Sequence, residues 1–135
     1  MKQITNGKGE MSLTTNIADR PQPRRGEIWW VNFDPTIRAE IRKSRPAVVV
    51  SSDAIGKLPV KLVAPVTDWK DWYATQHWLV ELTPDPLNGL AKHSAVDTLQ
   101  LRGVDLQRFD SRLGRLSSDT LDEVIAAIAI VIEYS

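Results

Sequence analysis

The apolar pattern changes period once along this 135-residue chain, close to its C-terminal end. Up to that point the apolar residues come in short runs of strand type. Beyond it Leu121, Val124, Ile125, Ile128 and Ile132 recur at helical spacing. A chain of this form builds its core from small strands and covers it with one helix. The runs are 26–33 (GEIWWVNF), 46–52 (PAVVVSS), 60–67 (VKLVAPVT), 77–82 (HWLVEL) and 94–101 (SAVDTLQL), rich in β-branched and aromatic residues. The second is almost wholly apolar, as a strand covered on both faces requires. Pro65 lacks a donor and belongs at an edge or bulge. Residues 36–45 (TIRAEIRKSR) look helical, but the segment is short and Pro46 pushes Arg45 toward an extended conformation, so it is read as a loop. Ser117, Ser118 and Asp119 are N-cap types, and Thr120 with Glu123 has capping-box spacing, which predicts a helix over roughly 119–133. The other side of that helix carries Ala127, Ile130 and Val131, so it needs burial on more than one side, much of which a second subunit can supply. The expected architecture is a small β-barrel with a C-terminal α-helix, mainly β and α+β by count, with a second subunit as one way to cover the helix.

Residues 1–23 are polar, aperiodic and end in Pro21 and Pro23; they are read as a flexible N-terminal tail ahead of a single domain, 24–135. A chain of this length does not comfortably hold two cores. The absence of cysteine excludes disulfides, thiol nucleophiles and zinc ribbons. With only His77 and His93 as imidazoles, no metal site and no cofactor is expected. No apolar run approaches the roughly 20 residues of a membrane span, and the N-terminus lacks a signal-type apolar block, so a cytoplasmic location is expected. The formal net charge of +0 conceals an asymmetry. Residues 1–45 hold nine Lys and Arg against five Asp and Glu, whereas residues 46–135 hold eight against twelve. A basic patch on a neutral protein can still engage phosphates locally.

Six elements in order carry a resemblance: Arg25-Gly26-Glu27-Ile28-Trp29; Asp34-Pro35 with Glu40; Arg45-Pro46-Ala47-Val48-Val49-Val50; Val63-Ala64-Pro65-Val66-Thr67; Ser94-Ala95-Val96 with Gln100, Arg102, Asp105 and Arg108; and the apolar terminal helix. Together, over about 24–135, they resemble the MazF/PemK (Kid) family of toxins of type II toxin–antitoxin systems. The resemblance implies an SH3-like barrel of the CcdB/Kid/MazF kind. It also implies a homodimer, a cognate antitoxin that blocks the RNA groove, and a metal-independent endoribonuclease acting on single-stranded RNA, often mRNA.

Such cleavage uses the RNA's own 2′-hydroxyl as nucleophile and leaves a 2′,3′-cyclic phosphate and a 5′-hydroxyl. It needs a proton acceptor, charge stabilisation at phosphorus and a proton for the leaving oxygen. Arg45 matches the family's catalytic arginine, whose planar fork bridges two phosphate oxygens. Thr67 matches the active-site Thr/Ser, a hydroxyl donor. The candidate substrate-binding residues are Arg38, Glu40, Arg42, Lys43, Trp69, Gln100 and Arg102. Glu40 is a base or a partner of Arg25 or Arg45, the structural role being favoured. Arg102 lies near the groove or pairs with Asp105. Trp69 and Trp72 stack on bases or pack across the barrel mouth. Trp29 and Trp30 face opposite sides of one strand, one into the core and the other toward a dimer or RNA surface. Where some relatives have a loop histidine and an arginine–aspartate pair on the later strand, this chain has Ala39, Asp97 and Leu99. The general base is therefore open. The alternative class is a protein-binding poison of the same fold without nuclease activity, like the gyrase toxin CcdB.

Overall fold

The computed structural model describes residues 21–34, 44–55 and 58–134. Seven strands, β1 (Glu27–Asn32), β2 (Ser44–Val49), β3 (Val60–Asp68), β4 (Leu79–Leu82), β5 (Ser94–Asp97), β6 (Arg102–Asp105) and β7 (Phe109–Arg115), form one antiparallel sheet in the order β4-β5-β3-β2-β1-β7, with β6 also paired to β3. The helix α1 spans Ser118–Val131. The architecture is mainly β with a C-terminal helix, as expected, with β4 and β7 at the two ends of a curved, barrel-like sheet.

The apolar run that starts in β2 and ends at Val50 shows how the sheet serves two cores. Its residues alternate between two cores: Val48 and Val50 enter a cluster with Ile28, Ala64, Val66 and Val96, while Ala47 and Val49 enter another with Val31, Val63, Val104 and Phe109. The first cluster is capped by α1 through Leu121, Val124 and Ala127. Fully burying side chains of this kind contributes about 1.5–3 kcal/mol each before chain entropy is charged against it. Of the tryptophan pair, Trp29 packs edge-on against Phe109 at 5.9 Å and donates its indole N–H to Glu27 Oε1 at 3.0 Å. Trp30 is the outward one, 39% exposed.

Several boundaries differ from the sequence expectation. The strand expected over 94–101 stops at Asp97, whose carboxylate accepts from the Leu99 amide and the Gln100 side chain and turns the chain into a short 3-10 segment. The strand expected from His77 begins at Leu79. Ser44 and Arg45 belong to β2 rather than to the preceding loop. Strands β6 and β7 were not expected: β6 is four residues with a glycine, and β7 pairs with β1 through two register irregularities that erase the period of two. The helix cap is Ser117, whose Oγ accepts from the Thr120 amide at 3.2 Å, so Thr120 stands inside the first turn and does not start a capping box with Glu123. Pro65 lies where β3 changes partner on one side, from β6 (through Val63) to β5 (from Val66), which accommodates its missing donor.

Candidate RNA-cleaving cleft

The other edge of β3, the one paired to β2, opens the cleft. The β2–β3 ladder runs Val49↔Val63, Val48↔Ala64, Ala47↔Pro65 and stops. Beyond it Val66, Thr67 and Asp68 pair with β5, while Ser44, Arg45 and Pro46 stay on β1. The register continued by two residues sets Arg45 opposite Thr67, and the two strands part at that point. The result is a cleft of about 430 Å³. Its polar lining is Ser44, Arg45, Thr67, Asp68, Lys92 and Ser94, and its apolar lining is Trp30, Pro46, Val66, Leu90 and Leu113. Arg45 and Thr67, separated by more than twenty residues of sequence, are thus brought together. Neither side chain hydrogen-bonds or ion-pairs with another described residue, so both keep donors for a ligand.

The third wall is the segment between β4 and β5, and local hydrogen bonding explains its shape. Asp85 Oδ1 accepts from the amides of Leu87 and Asn88 at 2.8 and 2.7 Å. Buried Asn88 answers with its own side chain: Oδ1 accepts from the amides of Asp85 and Leu90, and Nδ2 donates to the Thr83 carbonyl. Gly89 then adopts φ +68°, and a Cβ there would stand 2.3 Å from the Leu113 carbonyl oxygen of β7. The glycine therefore lets this segment lie directly on β7, which delivers Leu90, Ala91 and Lys92 to the cleft. Lys92 Nζ approaches Asp68 Oδ2 at 3.8 Å; both side chains are largely exposed, so the pair contributes only about 0–1 kcal/mol and competes poorly with a phosphate. Sequence reading missed Lys92. Its signal was the Asn-Gly turn three residues before it, which marks a backbone held close to something else.

The remaining candidates fall elsewhere. Trp69 is ring-stacked on His93 at 4.9 Å, with Tyr73 edge-on at 5.8 Å, and Trp72 contacts Tyr73 at 4.7 Å. His93 Nε2 in turn lies 2.6 Å from Glu81 Oε2. Trp69 lines a second opening, between β4 and α1, together with His77 and Ile130. Gln100 Nε2 donates to Asp97 Oδ2 at 3.1 Å. Arg102 does not pair with Asp105: its guanidinium lies over the Phe33 ring at 5.2 Å, and Asp105 accepts from the Gln107 amide at 2.8 Å. Trp69, Gln100 and Arg102 thus do not join Arg45 and Thr67 in the cleft lining. Arg38, Glu40, Arg42 and Lys43 lie outside the described residues. Just before them, Arg108 Nη1 donates to the carbonyls of Asn32 and Asp34 at 3.1 and 2.8 Å and ties down the end of β1. Among the described residues, no three of His, Asp and Glu group as metal ligands, and no helix is long and apolar enough to cross a membrane.

Comparison with known proteins adds to this geometry. A sequence profile for the PemK-like, MazF-like toxins of type II toxin–antitoxin systems matches residues 24–132. The chain is 33% identical over 114 residues to the probable endoribonuclease MazF5 of Mycobacterium tuberculosis, covering 84% of this chain and 95% of that protein. It is 32% identical over 134 residues to the endoribonuclease PemK of Escherichia coli, covering 96% of each. The crystal structure of a MazE–MazF assembly from Deinococcus radiodurans superposes with a TM-score of 0.67 at 28% identity, covering 84% of this chain and 97% of that one.

Proposed function

This chain belongs to the PemK-like, MazF-like family of toxins of type II toxin–antitoxin systems, and from that premise we propose that it is an endoribonuclease toxin that cuts single-stranded RNA at the β2–β3 cleft. The observation that carries the reading is the meeting of Arg45 and Thr67 where two strands part. A phosphodiester in the opening meets the Arg45 fork and the Thr67 hydroxyl at once. As the 2′-hydroxyl gives up its proton to a base, the 2′-oxygen attacks phosphorus, the new P–O bond forms, and the bond to the 5′-oxygen of the next nucleotide breaks, that oxygen taking up a proton as it leaves. Arg45 neutralises the charge that builds on the non-bridging oxygens, and Thr67 donates to one of them and fixes the line of attack. The products are a 2′,3′-cyclic phosphate and a 5′-hydroxyl, and the step requires no metal.

Arg38, Arg42 and Lys43 serve as phosphate contacts along the RNA and Glu40 takes a structural role beside them, whereas Trp69, Gln100 and Arg102 bind RNA outside the cleft lining. The partners are RNA, a cognate antitoxin whose acidic segment competes for the same groove, and a second copy of the chain. The place of action is the cytoplasm, where mRNA is translated. Residues 24–135 are the working unit and residues 1–23 an appendage, of which Pro23 at its end is itself buried. The non-nucleolytic alternative is not favoured, because the relatives above 30% identity are named endoribonucleases.

The test is incubation of purified protein with single-stranded RNA in EDTA, followed by end-group analysis. Fragments ending in cyclic phosphate and 5′-hydroxyl are expected; strict dependence on an added divalent cation overturns the mechanism.

A further inference from the structure

The apolar half of the cleft takes no part in the phosphate chemistry assigned to Arg45 and Thr67. Val66 and Leu90 belong to the first core cluster, with Leu113 packed against it, but Trp30 does not belong to that cluster. Trp30 is 39% exposed, and among the described residues its ring has no aromatic partner and its indole N–H no acceptor. Its neighbour Trp29 differs on both counts, with Phe109 against its ring and Glu27 on its nitrogen. A partly exposed indole without an aromatic partner thus stands in the wall of a cleft whose 430 Å³ falls within the range of small-ligand sites, about 300–1,000 Å³.

The charges of the same lining narrow the ligand. Arg45 lies on β2 and Lys92 on the segment before β5, against the single carboxylate of Asp68. A flat ring, a net positive lining and the Ser44 hydroxyl match a nucleotide: a base for the indole, phosphates for the cations and a sugar for the hydroxyl, the Ser94 hydroxyl already donating to the Lys92 carbonyl at 2.7 Å. We propose that this cleft binds one unpaired base of the RNA, that of a nucleotide adjoining the cleaved bond, stacked on Trp30, while Lys92 contacts a phosphate neighbouring the one held by Arg45. The proposal rests on the ribonuclease reading and adds a base-binding subsite to it.

The experiment uses the full chain and a single-stranded RNA of mixed sequence whose cleavage site has been mapped. That RNA is resynthesised with an abasic residue at either nucleotide flanking the bond. Wild type, Trp30→Ala, Trp30→Phe and Lys92→Ala are compared in cleavage and in anisotropy titration of the RNA, after circular dichroism has checked their folding. Trp30→Ala is expected to raise KM and Kd at least about fivefold, the scale of one lost base–aromatic stack, with Trp30→Phe recovering most of the loss. An abasic residue at one flank is expected to cost wild type a similar factor and to cost Trp30→Ala nothing further. Lys92→Ala is expected to lower the salt slope of binding by about one. Additive losses in the Trp30→Ala and abasic combination, or no abasic cost at either flank, overturn the proposal. If Trp30→Ala does not fold, the abasic comparison between wild type and Trp30→Phe decides by the same criterion of cost at one flank. A Trp30→Ala protein that binds RNA as wild type does but loses the antitoxin assigns the cleft to the antitoxin and also overturns it. A wild type that binds single-stranded RNAs in a Trp30-dependent way but cuts none of them, so that no site can be mapped, contradicts the ribonuclease reading alone.

Discussion

At the scale of single residues, the account depends on Arg45 being an arginine and on its freedom. It is exposed at the start of β2 and ion-pairs with no other described residue, so its fork is available to a phosphate without first breaking a bond. Replacing it by alanine removes a donor to the developing charge and leaves the apolar alternation of β2 intact. Arg45→Ala is therefore expected to fold normally and to lose about 3 kcal/mol of transition-state stabilisation, roughly 100-fold in rate; single-turnover cleavage beside a thermal melt checks both halves. Thr67→Val keeps the shape and deletes one neutral donor, so its expected loss is smaller, about 1 kcal/mol or roughly fivefold. Neutralising Arg42 and Lys43 together is expected to weaken binding to many RNAs and flatten the salt dependence while the cleavage motif stays the same. A shifted motif in that double variant would show that these residues read bases.

At the scale of elements, the cleft exists because the β2–β3 ladder ends at Ala47 and Pro65 and because the segment before β5 lies flat on β7. Gly89 permits the second. A methyl group there meets the Leu113 carbonyl in a backbone conformation that other residues adopt at a cost. Gly89→Ala is expected to lower stability by about 2 kcal/mol and to reduce cleavage as well, since Lys92 and Leu90 move with the segment. Chemical denaturation and kcat/KM measure the two effects. These elements also show what a sequence discloses. The β2 run was readable because both of its faces are buried, so composition alone marks it. Arg45 and Thr67 were readable as candidates through family-like spacing, though nothing local in either segment says that they meet. Strands β6 and β7 were hidden: with Arg102, Gly103 and Asp105 on one, and charged residues and register breaks on the other, neither alternates, and only pairing to β3 and β1 makes them strands. For Trp69 the sequence left base stacking and packing both open, because its stacking partner His93 lies far along the chain.

At the scale of the whole molecule, α1 buries one stripe, Leu121, Val124 and Ala127, and leaves apolar residues outside it: Ile130 is 58% and Ile132 is 64% exposed. Exposure of this kind is what an isologous two-fold interface covers. Light scattering is expected to give about twice the chain mass of 15.1 kDa, and a 15.1 kDa species across micromolar concentrations would contradict the homodimer. Removing residues 1–23 is expected to leave the dimer intact, because the segment carries little apolar surface. The central claim, that the molecule holds RNA so that the RNA's own 2′-hydroxyl cuts it, has a direct test. A substrate is made with a single deoxynucleotide on the 5′ side of the mapped bond, every other residue remaining ribose, and is incubated with the protein in EDTA. Cleavage at that bond is expected to vanish while binding is retained; cleavage that continues at the unmodified rate would contradict the account.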